Sequence, residues 1–205
     1  MGLKERRQRE KDARRELILK AARELLHLKG LNGASMNQIA KKAELGVATL
    51  YSYFKNKEEL FLILQEEGFD LLKKKTFEAI AEETDPSRKL FIAAETFLQF
   101  SQENKNYYYI INYFISSPEI LFEQTLKAGI DEQAAKSMQM PIMIIDEGIT
   151  AGIFKPVDIR KAGITFWALV HGLTQFRKLE KTVFADKNFM DIFHFSVEHF
   201  IDSLK

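Results

Sequence analysis

Apolar residues recur at spacings of three and four along almost the whole chain, and only four prolines interrupt its 205 residues. That periodicity belongs to helices with one buried face rather than to alternating strands. It predicts an all-α protein of nine to ten helices with no sheet. In the first helix Leu17, Ile18, Ala21, Ala22, Leu25 and Leu26 form one stripe, which Gly30 ends. Ser35 and Gln38 then make a Ser-x-x-Gln capping box, able to satisfy the free backbone groups of a second helix over Met36 to Ala43. Glu44, Leu45 and Gly46 form a three-residue connection to a short third helix, Val47 to Tyr53. Two short helices joined this way have the spacing of a helix-turn-helix. A fourth helix, Lys57 to Lys75, connects this module to the rest of the chain.

Further boundaries come from Asp85 before Pro86 and Ser117 before Pro118, each a capping residue followed by proline at the first helical position. A long pattern from Ile130 ends at Gly152. Asp158 opens a strongly apolar helix reaching Lys178, and the last helix covers Lys187 to Leu204. These marks divide the chain into an N-terminal module, residues 1–57 with a basic extension at 1–13, and a larger helical body, residues 58–205.

Charge supports that division. The net charge is only +1, yet residues 1–57 hold 14 Lys and Arg against 6 Asp and Glu, a balance of +8 that the remainder offsets with −7. A basic module attracts phosphate through counterion release, although solvated helix surfaces also carry such runs. No apolar run reaches the length of a membrane span and there is no cysteine, so the expectation is a cytoplasmic protein without disulfides or thiol chemistry. His27, His171, His194 and His199 lack the paired spacing of a zinc motif. Neither a phosphate-binding glycine loop nor a nucleophile elbow is present, and the chain is read as a non-enzyme without cofactor or metal.

At about 100° per residue, Leu50 and Phe54 point with Val47 toward the first two helices, leaving Ala48, Thr49 and Ser52 outward. Small side chains there suit a helix entering the major groove of double-stranded DNA, where a threonine can read a base edge. Tyr51 and Tyr53 flank that face, placed to donate to phosphates on either groove wall, with Lys57 as a further phosphate contact. Packing alone is the competing account of the tyrosines, and plain surface that of Thr49 and Ser52. Ser35 and Gln38 complete the DNA-binding set.

The run Ala43-Glu44-Leu45-Gly46-Val47-Ala48-Thr49-Leu50-Tyr51-Ser52-Tyr53-Phe54-Lys55-Asn56-Lys57-Glu58-Glu59-Leu60, preceded by Ile39-Ala40-Lys41-Lys42, resembles the signature of the TetR family of bacterial repressors. The resemblance covers Glu16 to Phe61. Three positions depart from it: Glu44 stands where the family commonly has glycine, Gly46 where a serine caps the third helix, and Ala48 where another glycine is common. Glu44 is expected in an ordinary helical or bridge conformation, and glycine is an acceptable cap. The extension with Lys4, Arg6, Arg7, Arg9, Lys11, Arg14 and Arg15 is either an arm that tracks DNA or a charged helical prolongation, since Glu5, Glu10, Asp12 and Glu16 sit at spacings for intrahelical pairs.

The resemblance implies a homodimer that binds a palindromic operator and a body that encloses a small apolar or aromatic effector, with no membrane partner. Phe100, Tyr108, Ile111, Phe114, Met143, Phe166 and His171 lie on helices expected to surround that cavity; each also reads as ordinary core. Gly163 and Gly172 each cost about 1 kcal/mol in a helix interior, a cost that close helix approach would offset. With the final helix (Phe189, Ile192, Phe193, Ser196, Phe200) their segment, Ala162 to Phe176, suits a four-helix dimer interface or an intrachain core. The leading function is a repressor released from its operator by ligand. Alternatives are a constitutive or architectural DNA binder without effector, and a ligand-sequestering or enzymatic body bearing a vestigial DNA module.

Overall fold

The computed structural model describes residues 2–116, 132, 135–136, 138–180, 182–183 and 188–205, without the side chains of residues 31, 32 and 114–116. The expected helix start at Ser117 and Pro118, the beginning of the pattern at Ile130, Lys187 and the side chain of Phe114 lie outside the described residues. Among those described the chain is all-α. Nine α-helices follow in order: α1 (Leu3–Gly33), α2 (Met36–Lys42), α3 (Val47–Tyr51), α4 (Lys57–Ile80), α5 (Pro86–Glu103), α6 (Lys105–Ser116), α7 (Gln139–Thr150), α8 (Ile159–Phe176) and α9 (Phe189–Leu204). A single 3₁₀ turn, Arg177–Leu179, follows α8.

Two compact units divide the chain: Met1–Phe69 with Asn104–Gln133, and Asp70–Glu103 with Ala134–Lys205. In the first, Ile18, Leu19, Ala22 and Leu26 of α1 meet Ile39 and Ala40 of α2, Leu50 of α3, Leu60, Phe61 and Leu64 of α4 and Ile110 of α6 in one core. Burying each large side chain contributes roughly 1.5 to 3 kcal/mol, and this sum holds helices too short to persist alone. Leu17 departs from the stripe read from sequence: it is 52% exposed, and Leu19 occupies the core instead. Gly30 breaks α1 as expected, at φ 69° and ψ 176°, before helical turns resume to Gly33. A side chain at Gly30 would also meet the Tyr109 hydroxyl at 3.0 Å.

The second unit packs α5, α7, α8 and α9 together, burying Leu90, Ala94, Leu98 and Phe100 of α5, Ile144 and Ile145 of α7, and Phe193, Val197 and Ile201 of α9. Gly163 brings α8 so close to α7 that a methyl there would run into Ile142, whereas a methyl at Gly172 would meet nothing within 4 Å among the described residues. Only the first of these two glycines is explained by packing inside the chain. Asp158 caps α8 by accepting from the amides of Arg160 and Lys161, each at 3.1 Å, and these bonds together with Lys161 hold its carboxyl below the usual aspartate range. The C-terminal end of α9 is tied back by Lys155, whose amide donates to the Leu204 carbonyl at 2.8 Å. Lys89 and Glu147 join α5 to α7 at 2.6 Å.

Candidate nucleic-acid interface

The helix-turn-helix is assembled from local signals. Ser35 caps α2, its hydroxyl accepting from the Gln38 amide at 3.3 Å. The helix ends in a Schellman closure: the Leu45 amide donates to the Ala40 carbonyl at 2.9 Å and the Glu44 amide to that of Lys41 at 3.2 Å. This closure requires a left-handed residue between them. Glu44 supplies it, with φ 57°, and the helical or bridge conformation expected from sequence is corrected accordingly. Leu45, the next residue, turns back to pack on the core. Gly46 then caps α3 with extended backbone at φ −67° and ψ 144°.

α3 is five residues long, with Ser52 as its C-cap, shorter than the Val47 to Tyr53 expected. Leu50 and Phe54 are buried at 0% and 2% exposure, whereas Val47 is 36% exposed and belongs to the outer surface rather than to the core side. Ala48, Tyr51 and Ser52 are exposed and Thr49 is half-buried. The Ser52 hydroxyl donates to the Thr49 carbonyl at 2.6 Å, which fixes its rotamer on the outward face. Tyr53 is half-buried against the core. Its ring packs on the core, while Tyr51 stands 53% exposed.

Beyond the turn, Asn56 caps α4 by accepting from the Glu59 amide at 2.8 Å, and the Glu59 carboxylate accepts from the Lys55 amide at 2.6 Å. This places Lys57 at the first helical position. Ser35, Tyr51 and Lys57 then line one shallow recess with Ala34, Met36, Asn37, Asn56 and Glu58. Three residues selected from sequence as DNA contacts thus share one surface. Asn37, Asn56 and Glu58 escaped selection, although the Asn-x-x-Glu spacing of Asn56 and Glu59 is a capping signal legible in the chain.

Ion pairs fix the scaffold behind this face. Lys42 of α2 meets Glu24 of α1 at 2.8 Å, and that hydrogen bond holds the Glu24 carboxyl below its ordinary range. Arg23 of α1 pairs with Glu67 of α4 at 2.9 Å and lies 4.6 Å over the ring of Tyr107 of α6, whose hydroxyl donates to the same carboxylate at 3.1 Å. Burial pushes the Tyr107 phenol up to about 12.

The effector candidates divide between the units. Tyr108, Ile111 and the backbone of Phe114 belong to the first; Phe100, Met143, Phe166 and His171 to the second. Ile111 and Phe100 are fully buried, and Tyr108 is half-buried, where desolvation raises its phenol. Phe166 packs 5.5 Å from Phe200. His171 is stacked on Trp167 at 4.8 Å and tilted against Phe97 at 5.7 Å; burial lowers its pKa to about 4 and keeps the ring neutral. Met143 is 57% exposed and open to solvent, not enclosed as the sequence suggests. Trp167 and Phe97, which the sequence reading does not name, are aromatic neighbours of His171. Among the described residues no group of acidic, histidine or cysteine side chains could hold a metal ion, and no helix is long and apolar enough to cross a membrane.

A capped helix-turn-helix with an exposed recognition face defines a class, the helix-turn-helix transcriptional regulators, and comparison with known proteins agrees. Residues 18–64 match the profile of bacterial regulatory proteins, tetR family. The chain is 24% identical over 173 residues to the HTH-type transcriptional activator FasR of Mycolicibacterium smegmatis, covering 83% of this chain and 77% of that one. It is 30% identical over 155 residues to YhgD of Bacillus subtilis, named an uncharacterized HTH-type transcriptional regulator, covering 71% and 74%. In fold it resembles FadR of Bacillus subtilis, solved in complex with stearoyl-CoA (TM-score 0.77, 20% identity, 93% and 99% covered), and AibR, solved in complex with isovaleryl coenzyme A and operator DNA (TM-score 0.68, 20% identity, 91% and 97% covered). The chain belongs to the TetR family of transcriptional regulators. Those relatives are named as regulators, not as enzymes.

Proposed function

We propose that this protein is a cytoplasmic, homodimeric repressor that leaves a palindromic operator when a small apolar ligand binds its body. The observation that carries the DNA half is the outward face of α3: Ala48, Thr49 and Ser52 are small enough to enter a major groove, and Tyr51 and Lys57 stand beside them. In this reading Thr49 and Ser52 contact base edges, while Ser35, Gln38, Tyr51, Tyr53 and Lys57 position the helix on phosphates. The dimer forms through α8 and α9, where Ile164, Phe176 and Phe195 are 50%, 54% and 69% exposed and Gly172 leaves room for a second backbone. An apolar face this open on one chain is what a four-helix interface would cover.

Within the second unit the effector site draws on Phe100, Phe166 and His171, which are buried there. Acyl-coenzyme A thioesters are the first ligands to test, because FadR and AibR were solved with stearoyl-CoA and isovaleryl-CoA. Activation is a second reading, favoured by FasR, which is named an activator. The experiment is selection of preferred sites from randomised duplex DNA, followed by titration of the selected site with acyl-CoAs of graded chain length. A palindromic site whose affinity falls at least tenfold with one chain length supports the proposal. A site without two-fold symmetry would remove the dimeric reading, and affinity unmoved by every ligand would favour a constitutive binder.

A further inference from the structure

The segment preceding the core, left open from sequence between an arm and a helix, is helical. α1 begins at Leu3, where Glu5 accepts from the Gly2 amide at 3.0 Å, and Arg6 with Glu10 and Gln8 with Asp12 form i to i+4 contacts at 3.0 and 2.9 Å. Once the backbone is helical, the charges sort by face. Lys4, Arg7, Lys11, Arg14 and Arg15 fall within an arc of about 100°, whereas Glu5, Asp12 and Glu16 gather within about 40° on another side. Lys4, Arg7, Lys11 and Arg14 are exposed, and among the described residues none of them forms an ion pair.

This basic row has a definite direction. Its three- and four-residue steps, 4, 7, 11 and 14, continue into Ile18, Ala21 and Leu25, all buried in the core shared with α2 and α3. The face of α1 that packs on the helix-turn-helix in its second half is therefore a row of cations in its first half. Arg15 marks the junction, with its guanidinium 5.8 Å from the ring centre of Phe54, just past α3. From Arg14 to Lys4 the helix rises about 15 Å, enough to face several duplex phosphates, which come every ~1.7 Å of axis when both strands are counted.

We propose that the first four turns of α1 are a second DNA-contacting element, in which Lys4, Arg7, Lys11 and Arg14 lie on backbone phosphates flanking the half-site that α3 reads. The inference rests on the DNA-binding reading and extends the footprint beyond the helix-turn-helix. Such a row adds affinity and salt dependence without sequence preference.

Two double variants of the full-length protein test it, because they remove equal charge from different faces of the same helical segment. Arg7→Gln with Lys11→Gln strips the row; Arg6→Gln with Arg9→Gln leaves it intact. Binding to the selected operator is measured against salt, once with ten flanking base pairs on each side and once with none, after circular dichroism confirms equal helicity. In the operator-bound dimer the row variant is expected to lose about 3.6 from the salt slope on the flanked duplex, about 0.9 for each of four lost phosphate contacts, with affinity lower by about tenfold or more, and to match the wild type on the trimmed duplex. Equal losses in both variants would reduce the effect to net charge, and no loss in either would remove the extension from the interface; both overturn the inference. A wild type that selects no site at all would instead defeat the DNA-binding reading itself.

Discussion

Replacing Glu44 by glycine should stabilise this protein. Glu44 is the only described non-glycine residue at positive φ, 57°, and it is held there by the Schellman closure between Ala40 and Leu45. A side chain in the left-handed region costs about 1 to 2 kcal/mol. Glycine removes that strain but returns part of the gain, because its unfolded chain is freer by about 0.5 to 1 kcal/mol. The net is a gain of about 0.5 to 1 kcal/mol, or roughly 1 to 4 °C in Tm for a chain of this size. Glu44→Ala keeps the Cβ and deletes the carboxylate, so it separates strain from charge. Thermal unfolding at one fixed protein concentration should show Glu44→Gly above both wild type and Glu44→Ala, with the last two close together. If the alanine variant gains as much as the glycine variant, the gain comes from removing a negative charge and the strain argument is wrong.

At Gly163, alanine should cost about 1 to 3 kcal/mol, since its methyl would run into Ile142 across the α7–α8 contact; a Tm at or above that of wild type would mean that Ile142 gives way freely. Gly172→Ala meets nothing among the described residues and improves helix propensity by about 1 kcal/mol, yet it should weaken self-association several-fold in sedimentation equilibrium if α8 meets a second α8. An unchanged dimer constant would place Gly172 outside the interface. His171, whose pKa burial lowers to about 4 from the ordinary histidine value of 6.5, is protonated more readily when unfolded. Its neutral form is therefore favoured by folding above pH 6.5, and stability should fall progressively between pH 6.5 and 4 by up to about 3 kcal/mol. That part of the pH dependence, followed by urea unfolding, should be missing in His171→Gln.

The features legible in the chain were those decided within a few residues. Ser35 caps α2, Gly30 interrupts α1 at positive φ, and Asp158 opens α8, because each such signal acts on backbone groups two or three positions away. Glu44 was misread for a related reason: glutamate is a good helix former, and its left-handed conformation is set by the closure around it rather than by its own preference. Leu17 and Leu19 lie about 160° apart on α1, at opposite edges of the apolar stripe, and which edge is buried is decided by what packs against it, here α2 and α6. The effector candidates were least legible. Phe100 at 0% and Met143 at 57% exposure look alike as apolar residues on helices, and only long-range packing separates them.

The brevity of α3 bears on how the DNA-binding surface works. Five residues form barely more than one turn, far below the length at which a helix persists alone. Its shape is imposed from outside: the Schellman closure on one side, Leu50 and Phe54 buried beneath, and the capped start of α4 on the other. Each constraint ties α3 to a different neighbour, so Thr49 and Ser52 cannot reorient while α1, α2 and the start of α4 stay in place. Arg23, Glu67 and Tyr107 extend the same bracing to α6. In the dimer proposed above, a signal that changes DNA affinity would then have to displace this braced group as a body, altering the distance between the two recognition surfaces rather than the conformation of either.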